Sequence, residues 1–386
     1  MKWEYVALGD LYEVHNGLSK GGRFFGDGFP FLSFSTVFNK WFLPQELPDL
    51  VQSTDKEQQS YSIRRGDVFV TRTSETMDEL GMSSVALKDY PHATYNGFTK
   101  RLRPINSERI LPEFIGYYLR TPFFRAGFAA FSTMTTRASL RNEDLLSMKV
   151  RVPDIPTQKR IANILSAYDN LIENDQKQIK LLEEAAQRLY KEWFVDLRFP
   201  GHETTPIVDG VPEGWTWGTL ADIAVFRRGK TITKDQVKAG IIPVVAGGLE
   251  PAYYHDTPNT NVPVVTVSGS GANAGFTRMY HTKVWASDCS YIDAAVTKNT
   301  AWVYCFLKGN KASIDAMQKG AAQPHVYAKD LNAMKALFPD DKLMEQFRVI
   351  ADPMFTRIGK LDMQIKRLAE ARDRLLPKLM SGEIEV

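Results

Sequence analysis

The stretch from Thr157 to Trp193 contains neither Gly nor Pro and carries one continuous seam. Leu165, Tyr168, Ile172, Asp175, Ile179, Leu182, Ala186, Leu189 and Trp193 recur at alternating steps of 3 and 4, and only Asp175 interrupts the apolar character. That spacing keeps one stripe of a helix facing a partner helix, the pattern of a coiled coil. Shifting every position by 186 gives Ala351, Met354, Ile358, Leu361, Ile365, Leu368, Arg372, Leu375 and Leu379, again with one polar exception. About a third of the positions between Asp144 and Leu189 are identical at this shift, including Asp144/Asp330, Met148/Met334, Pro153/Pro339, Ile179/Ile365, Glu184/Glu370 and Arg188/Arg374. Hydrophobic spacing alone does not produce such identity, so the chain contains an internal duplication. A weaker echo lies upstream at a shift of 212, where Trp3, Leu8, Asp10 and Gly17 match Trp215, Leu220, Asp222 and Gly229. The chain therefore reads as variable domain, helix, variable domain, helix.

This organisation implies an α+β fold: two globular domains of mixed α/β content separated by two long antiparallel coiled-coil helices, related by a pseudo-two-fold repeat. The expected boundaries are 1–152 for the first domain, 153–198 for the first helical spacer, 199–206 for a linker, 207–338 for the second domain and 339–386 for the second spacer. A length of 386 residues and 44% hydrophobic content suffice for separate cores. The net charge of only +3 does not announce a nucleic-acid binder, so local charge must carry that argument. Cys289 and Cys305 are too few for a disulfide scaffold and lack metal-ligand spacing, and they read as packed thiols. The N-terminus has no signal-like apolar segment and no run reaches membrane-spanning length, so a cytoplasmic location is expected.

Within the first domain, strands are expected at Phe29–Phe34, Asp67–Thr71 and Ser84–Leu87, with a helix at Pro112–Leu119. From Thr99 to Arg151 there are ten Lys or Arg against four Asp or Glu, among them Lys100, Arg101, Arg103, Arg120, Arg125, Arg137 and Arg141, interleaved with Phe123, Phe124, Phe128 and Phe131. Such a segment is either a phosphate-contacting surface or a solvated basic face over a Phe-rich core. In the second domain, strands are expected at Ile241–Val245 and Pro263–Val267. Pro353 and Asp352 stand where Ala167 and Ser166 stand in the first copy, which suggests that each spacer is a short helix followed by a long one. Pro377 and the Ser381–Gly382 pair should end the last helix.

Three strings invite an enzymatic reading. Ala224–Thr231 ends in Gly229, Lys230 and Thr231 like a loosened phosphate-binding loop, but Ala224 replaces the first Gly and the chain returns to a strand without opening a helix. Val264–Gly275 is Gly-rich after a strand, yet the following FTRMYH alternates as a returning hairpin strand would. Pro339-Asp340-Asp341-Lys342 resembles a nuclease carboxylate cluster but occupies the repeat position of Pro153-Asp154, where a helix cap is expected. The six histidines are scattered, and no acid–base pair, metal box or nucleophile elbow is recognisable. The expectation is a chain without catalytic residues, metal or cofactor.

The strings Leu189–Glu203 (LYKEWFVDLRFPGHE), Leu375–Ile384 (LLPKLMSGEI), Met344–Ala351 (MEQFRVIA) and Gly320–Val326 (GAAQPHV) resemble the DNA-specificity subunit of type I restriction-modification systems. The resemblance spans essentially the whole chain and implies two target-recognition domains joined by helical spacers. It also implies double-stranded DNA, two methyltransferase subunits and the restriction/ATPase subunits of the complex as partners, with adenine methylation and cleavage carried out by those partners. A helix of 37 residues is about 55 Å long, comparable with one to one and a half turns of DNA. Antiparallel helices would thus set the spacing between two half-sites, and the dissimilar middles of the two domains predict an asymmetric bipartite target. For DNA contact the candidates are Arg72, Thr73, Ser74, Thr135, Thr136, Arg137 and Arg141 in the first domain. In the second they are Arg227, Arg228, Lys230, Ser268, Ser270, Asn273, Gln323 and His325. Tyr190, Trp193 and Phe194 are candidates for a partner-subunit surface, or else pack on their own domain. Two rival readings are a coiled-coil protein scaffold, which predicts no salt-dependent DNA affinity, and a nucleotide hydrolase using Lys230.

Overall fold

A computed structural model describes residues 3–74, 79–128, 138–318 and 324–386. The fold is mixed α/β and divides into two compact units: Met1–Ile172 with Arg367–Val386, and Glu173–Lys366. The division falls inside two long helices, so each unit owns a part of both.

The first unit begins with β1 (Glu4–Ala7), β2 (Tyr12–Asn16) and β3 (Phe25–Leu32), then α1 (Phe34–Asn39), β4 (Asp49–Val51) and α2 (Asp55–Ser60). It continues through β5 (Val68–Thr71), β6 (Thr73–Ser74), β7 (Ser83–Val85), β8 (Thr94–Tyr95) and β9 (Thr99–Pro104). Helices α3 (Pro112–Tyr118) and α4 (Pro122–Ala126), strand β10 (Ala138–Ser139), helix α5 (Asn142–Ser147) and strand β11 (Lys149–Val152) complete it up to the long helix α6 (Ile155–Phe194). The main sheet has the order β2-β9-β5-β7, flanked by β4-β3-β8 and by the pair β1-β11. Strand β5 (VFVT) is buried along its whole length, because Val68 and Val70 face the core with Leu8, Leu11 and Phe114 while Phe69 faces a second cluster with Tyr95 and Leu32.

In the second unit a short hairpin, β12 (Ile207–Val208) and β13 (Val211–Pro212), precedes β14 (Thr216–Thr219), β15 (Arg227–Arg228), β16 (Ile242–Val245) and β17 (Tyr253–His255). Then come β18 (Val264–Ser268), β19 (Thr277–Tyr280), β20 (Trp285–Ala286) and β21 (Cys289–Asp293), followed by α7 (Thr300–Gly309), α8 (Lys311–Ala316), α9 (Ala328–Asn332), β22 (Lys335–Phe338) and α10 (Asp341–Ser381). The orders are β15-β21-β18-β19, β17-β16-β20 and β14-β22. This is the first unit's arrangement strand for strand, down to one antiparallel and one parallel neighbour of the middle strand in the three-stranded sheet. The repeat shift falls from 212 at Glu4/Thr216 to 186 at Lys149/Lys335; the second copy is shorter because, among the described residues, it has no helix where the first has α1 and α2, and because β15 and β16 are shorter than β2 and β3. The middles, dissimilar in sequence, are the same fold, since a sheet interior asks only for apolar residues at alternate or consecutive positions.

Both long helices open on the expected caps. Asp154 Oδ1 accepts from Thr157 N–H at 2.8 Å, and Asp340 Oδ1 accepts from Leu343 N–H at 2.9 Å. The cap hydrogen bonds hold the Asp154 carboxyl below its usual range. Each helix is continuous, which corrects the expected break: Pro353 and Pro377 lie inside α10, and Asp352 is a helical residue rather than a cap. The helix stops at Ser381, as the Ser381–Gly382 pair predicts, and Gly382 takes a φ of 77°. Within the first unit the helices run antiparallel, with Asp169 on Arg372 while Ile161 and Leu165 share a core with Leu376 and Leu379. Within the second, Gln178 meets Arg357 and Trp193 meets Phe347. Among the described residues no helix is long and apolar enough to cross a membrane, and no cluster could hold a metal ion.

Candidate nucleic-acid interface

A hydrogen-bonded backbone corner recurs in the two units. In the first, the chain leaves β5 and Arg72 N–H donates to Phe98 O at 3.0 Å, while Leu140 N–H donates to Arg72 O at 2.9 Å; Thr73 then pairs with Ser139 across β6 and β10. In the second, Gly269 N–H donates to Asp288 O at 3.3 Å, Val326 N–H donates to Gly269 O at 3.1 Å, and Ser270 pairs with His325. The neighbouring edge strand is fixed equally. Leu18 N–H donates to Tyr95 O at 2.8 Å, and Lys230 N–H to Ala286 O at 2.9 Å. The approach is so close that a Cβ on Gly17 would lie 2.1 Å from Asn96 O, and one on Gly229 2.2 Å from Ser287 O. These two glycines are the matched pair of the sequence echo, and the echo exists because no side chain fits there.

The frame is shared while the side chains it carries differ. Register places Asn16 opposite Lys100 in the first unit and Arg228 opposite Ser290 in the second. By the hydrogen bonds above, Arg72 and Phe98 in one unit become Gly269 and Asp288 in the other. In the first unit the corner is cationic and aromatic: Phe98 is 57% exposed, Arg141 is exposed just before α5, and the Lys100 ammonium donates to Asn142 Oδ1. Burial, then the neighbouring Arg72, lowers the affinity of Lys100 for its proton. In the second unit the corner mixes both signs. Exposed Arg228 lies 3.8 Å from Asp288, the Ser270 hydroxyl donates to the same carboxylate, and His325 stacks on half-exposed Tyr327 with ring centroids 5.8 Å apart. Arg228, Asp288, His325 and Tyr327 line one small cleft.

The family model for the type I restriction modification DNA specificity domain matches residues 1–184. The type I restriction enzyme MjaIX specificity subunit of Methanocaldococcus jannaschii is 23% identical over 100% of this chain and 94% of its own length. The HindI specificity subunit of Haemophilus influenzae is 21% identical, over 99% of each chain. Over its whole length the chain is similar to type I restriction enzyme specificity subunits. Its fold is that of the crystallised type I S subunit from M. genitalium, with a TM-score of 0.60 at 17% identity, covering 98% of this chain and 96% of that one.

The sequence candidates sort into three groups. Arg72, Thr73, Arg141, Arg228, Lys230, Ser270 and His325 lie on the two corners or their immediate edges, with Arg227 exposed beside Arg228 on β15 and Asn273 in the turn that leads into β19. Thr135, Thr136, Arg137 and Gln323 lie outside the described residues, and of Ser74 only the backbone is described, paired with Ala138. Ser268 is a correction. It is 3% exposed and its hydroxyl donates inward to Gly247 O at 3.1 Å, because it still belongs to the buried strand β18.

Burial bears on two alternatives that the sequence leaves open. Much of the basic excess is spent inside the first unit: Arg103 bridges Asp67 at 2.6 Å, Arg120 donates to the carbonyls of Val37, Phe38, Lys40 and Ser83, and Arg125 donates to Leu80 O at 2.5 Å. Guanidinium groups here satisfy carbonyls at the end of α1, on the edge strand β7 and in the turn at Leu80. Tyr190, Trp193 and Phe194 are each no more than 8% exposed; they pack on Phe347, Trp302 and Trp215 of the second unit, so they form its core and no partner surface. Lys230 is followed by no helix that could cradle a phosphate; its carbonyl instead accepts from Trp285 Nε1 at 2.8 Å. Sequence reading passed over Asn16, Phe98, Asn142, Asp288 and Tyr327. The Gly17/Gly229 match would have marked Asn16 as the first unit's equivalent of Arg228, whereas the others become visible only through backbone pairing.

Proposed function

We propose that this chain is the subunit that reads an asymmetric, bipartite DNA target and directs adenine methylation and restriction by partner subunits. The observation that carries this reading is one backbone corner built twice and furnished differently. A duplicated frame suits two readings of one duplex, and Arg72, Phe98 and Lys100 in one copy against Gly269, Asp288 and Ser290 in the other suit two different base sequences. Met1–Val152 and Ile207–Phe338 are the two target-recognition domains, and α6 and α10 are the spacer whose length fixes the gap between half-sites. The chain itself is non-catalytic; two methyltransferase subunits, and through them the restriction subunits, supply the chemistry. The exposed Arg227, Arg228 and Lys230 favour DNA over a purely protein-binding scaffold.

The test is base-resolution mapping of adenine methylation in cells carrying this chain with its methyltransferase partner, against cells lacking only this chain. A gapped motif with two unlike halves, present only with the chain, is the expected result. An unchanged methylome with the partner expressed and bound would sink the proposal.

A further inference from the structure

The first unit holds a polar residue that the reading above does not use. Asn142 opens α5, is half-buried, and its Oδ1 accepts from the Lys100 ammonium. An ammonium has three donors and no acceptor, so only the amide oxygen can face it. The amide nitrogen, with two N–H donors, is therefore turned away from Lys100, and among the described residues it has no hydrogen-bond partner. Lys100 is itself 5% exposed, on a strand pinned between β2 and β5, so the group that orients the amide is fixed. The result is a pre-set donor beside Arg72 and Thr73 on the first unit's corner. At the same register of the second unit stands Ala328, the first residue of α9, and Ser290 stands where Lys100 does.

Resting on the specificity function proposed above, we infer that Asn142 is a DNA-contacting residue of the first half-site, donating its amide N–H groups to an acceptor on the duplex, with Lys100 as the residue that positions it. A base edge, such as guanine O6 or N7 or thymine O4, and a phosphate oxygen share this acceptor chemistry. A fixed amide discriminates better than a free one, since a rotating Asn could turn its oxygen outward and accept from adenine or cytosine instead.

The experiment uses the full chain assembled with its methyltransferase partner, comparing wild type, Asn142→Ala, Asn142→Asp and Lys100→Met by methylation mapping and by DNA affinity. Asn142→Asp keeps size and gains an ion pair with Lys100, so it folds, but it has no N–H to give. With a base acceptor, one position of one half of the motif relaxes, discrimination there falls roughly tenfold, and the other half is unchanged. With a phosphate acceptor, the motif stays and affinity falls several-fold for every sequence. Lys100→Met shifts the same readout by less. If Asn142→Asp, folded and assembled, keeps both motif and affinity within twofold of a wild type that does produce a gapped motif, the inference is overturned while the specificity function stands. A wild type that produces no motif overturns both.

Discussion

At the scale of single residues, the strictest demands come from places where the backbone leaves no room. Gly17 and Gly229 sit where two strands cross at hydrogen-bonding distance, and a methyl group at Gly229 would meet the carbonyl of Ser287 rather than a side chain that could swing aside. Gly229→Ala should therefore cost about 2–3 kcal/mol in urea unfolding, whereas Gly271→Ala, with open space around the Cβ but a φ of 78°, should cost only about 1 kcal/mol. Equal losses would show that strand contact is not what Gly229 protects. Residue chemistry also explains why the basic segment misled. Lys and Arg count alike in a sequence, but Arg120 and Arg103 are bound to carbonyls and a carboxylate within their own unit, while Arg228 extends into solvent.

At the scale of elements, the long helices illustrate how far periodicity reaches. The 3–4 spacing located both helices and their caps, and the hairpin at Val264–Tyr280 followed from Gly-rich punctuation between alternating residues. Asp352 and Pro353 suggest a new helix start because Asp caps well and Pro suits a first turn; inside a continuous helix Pro353 instead removes one hydrogen bond, a cost of about 3 kcal/mol in isolation, which packing of Ala351, Phe355 and Ile358 into the core outweighs. Asp175 is the complementary case. It is 3% exposed, its Oδ2 has no hydrogen-bond partner among the described residues, and the matched position in the other helix is Leu361. Asp175→Leu should raise stability by about 1–3 kcal/mol, read as a higher unfolding midpoint. A lower midpoint would mean that the carboxylate fixes helix register instead.

At the scale of the whole molecule, the proposed function makes the two halves separable. Arg228→Ala removes an exposed cation from the second unit only, so in the methylation map it should relax one half of the motif and leave the half read by Asn142 and Arg72 intact; loss of both halves together would show that the units do not read independently. Duplication, the two long helices, their caps and the resemblance to specificity subunits were all legible in the chain, because they rest on local spacing and on strings that keep their identity across the repeat. The common fold of the two middles was not. Strands of two to eight residues pair with partners far away in sequence, and buried strands tolerate almost any apolar residue, so similarity fades while topology persists. The sequence by itself determined that the chain is a twofold repeat joined by long helices. Only the tertiary structure decided that Arg72 and Gly269 occupy equivalent corners and that Ser268 faces inward, because backbone pairing across each sheet sets them, and that Tyr190 is buried, because α6 packs it on Trp302 and Phe347.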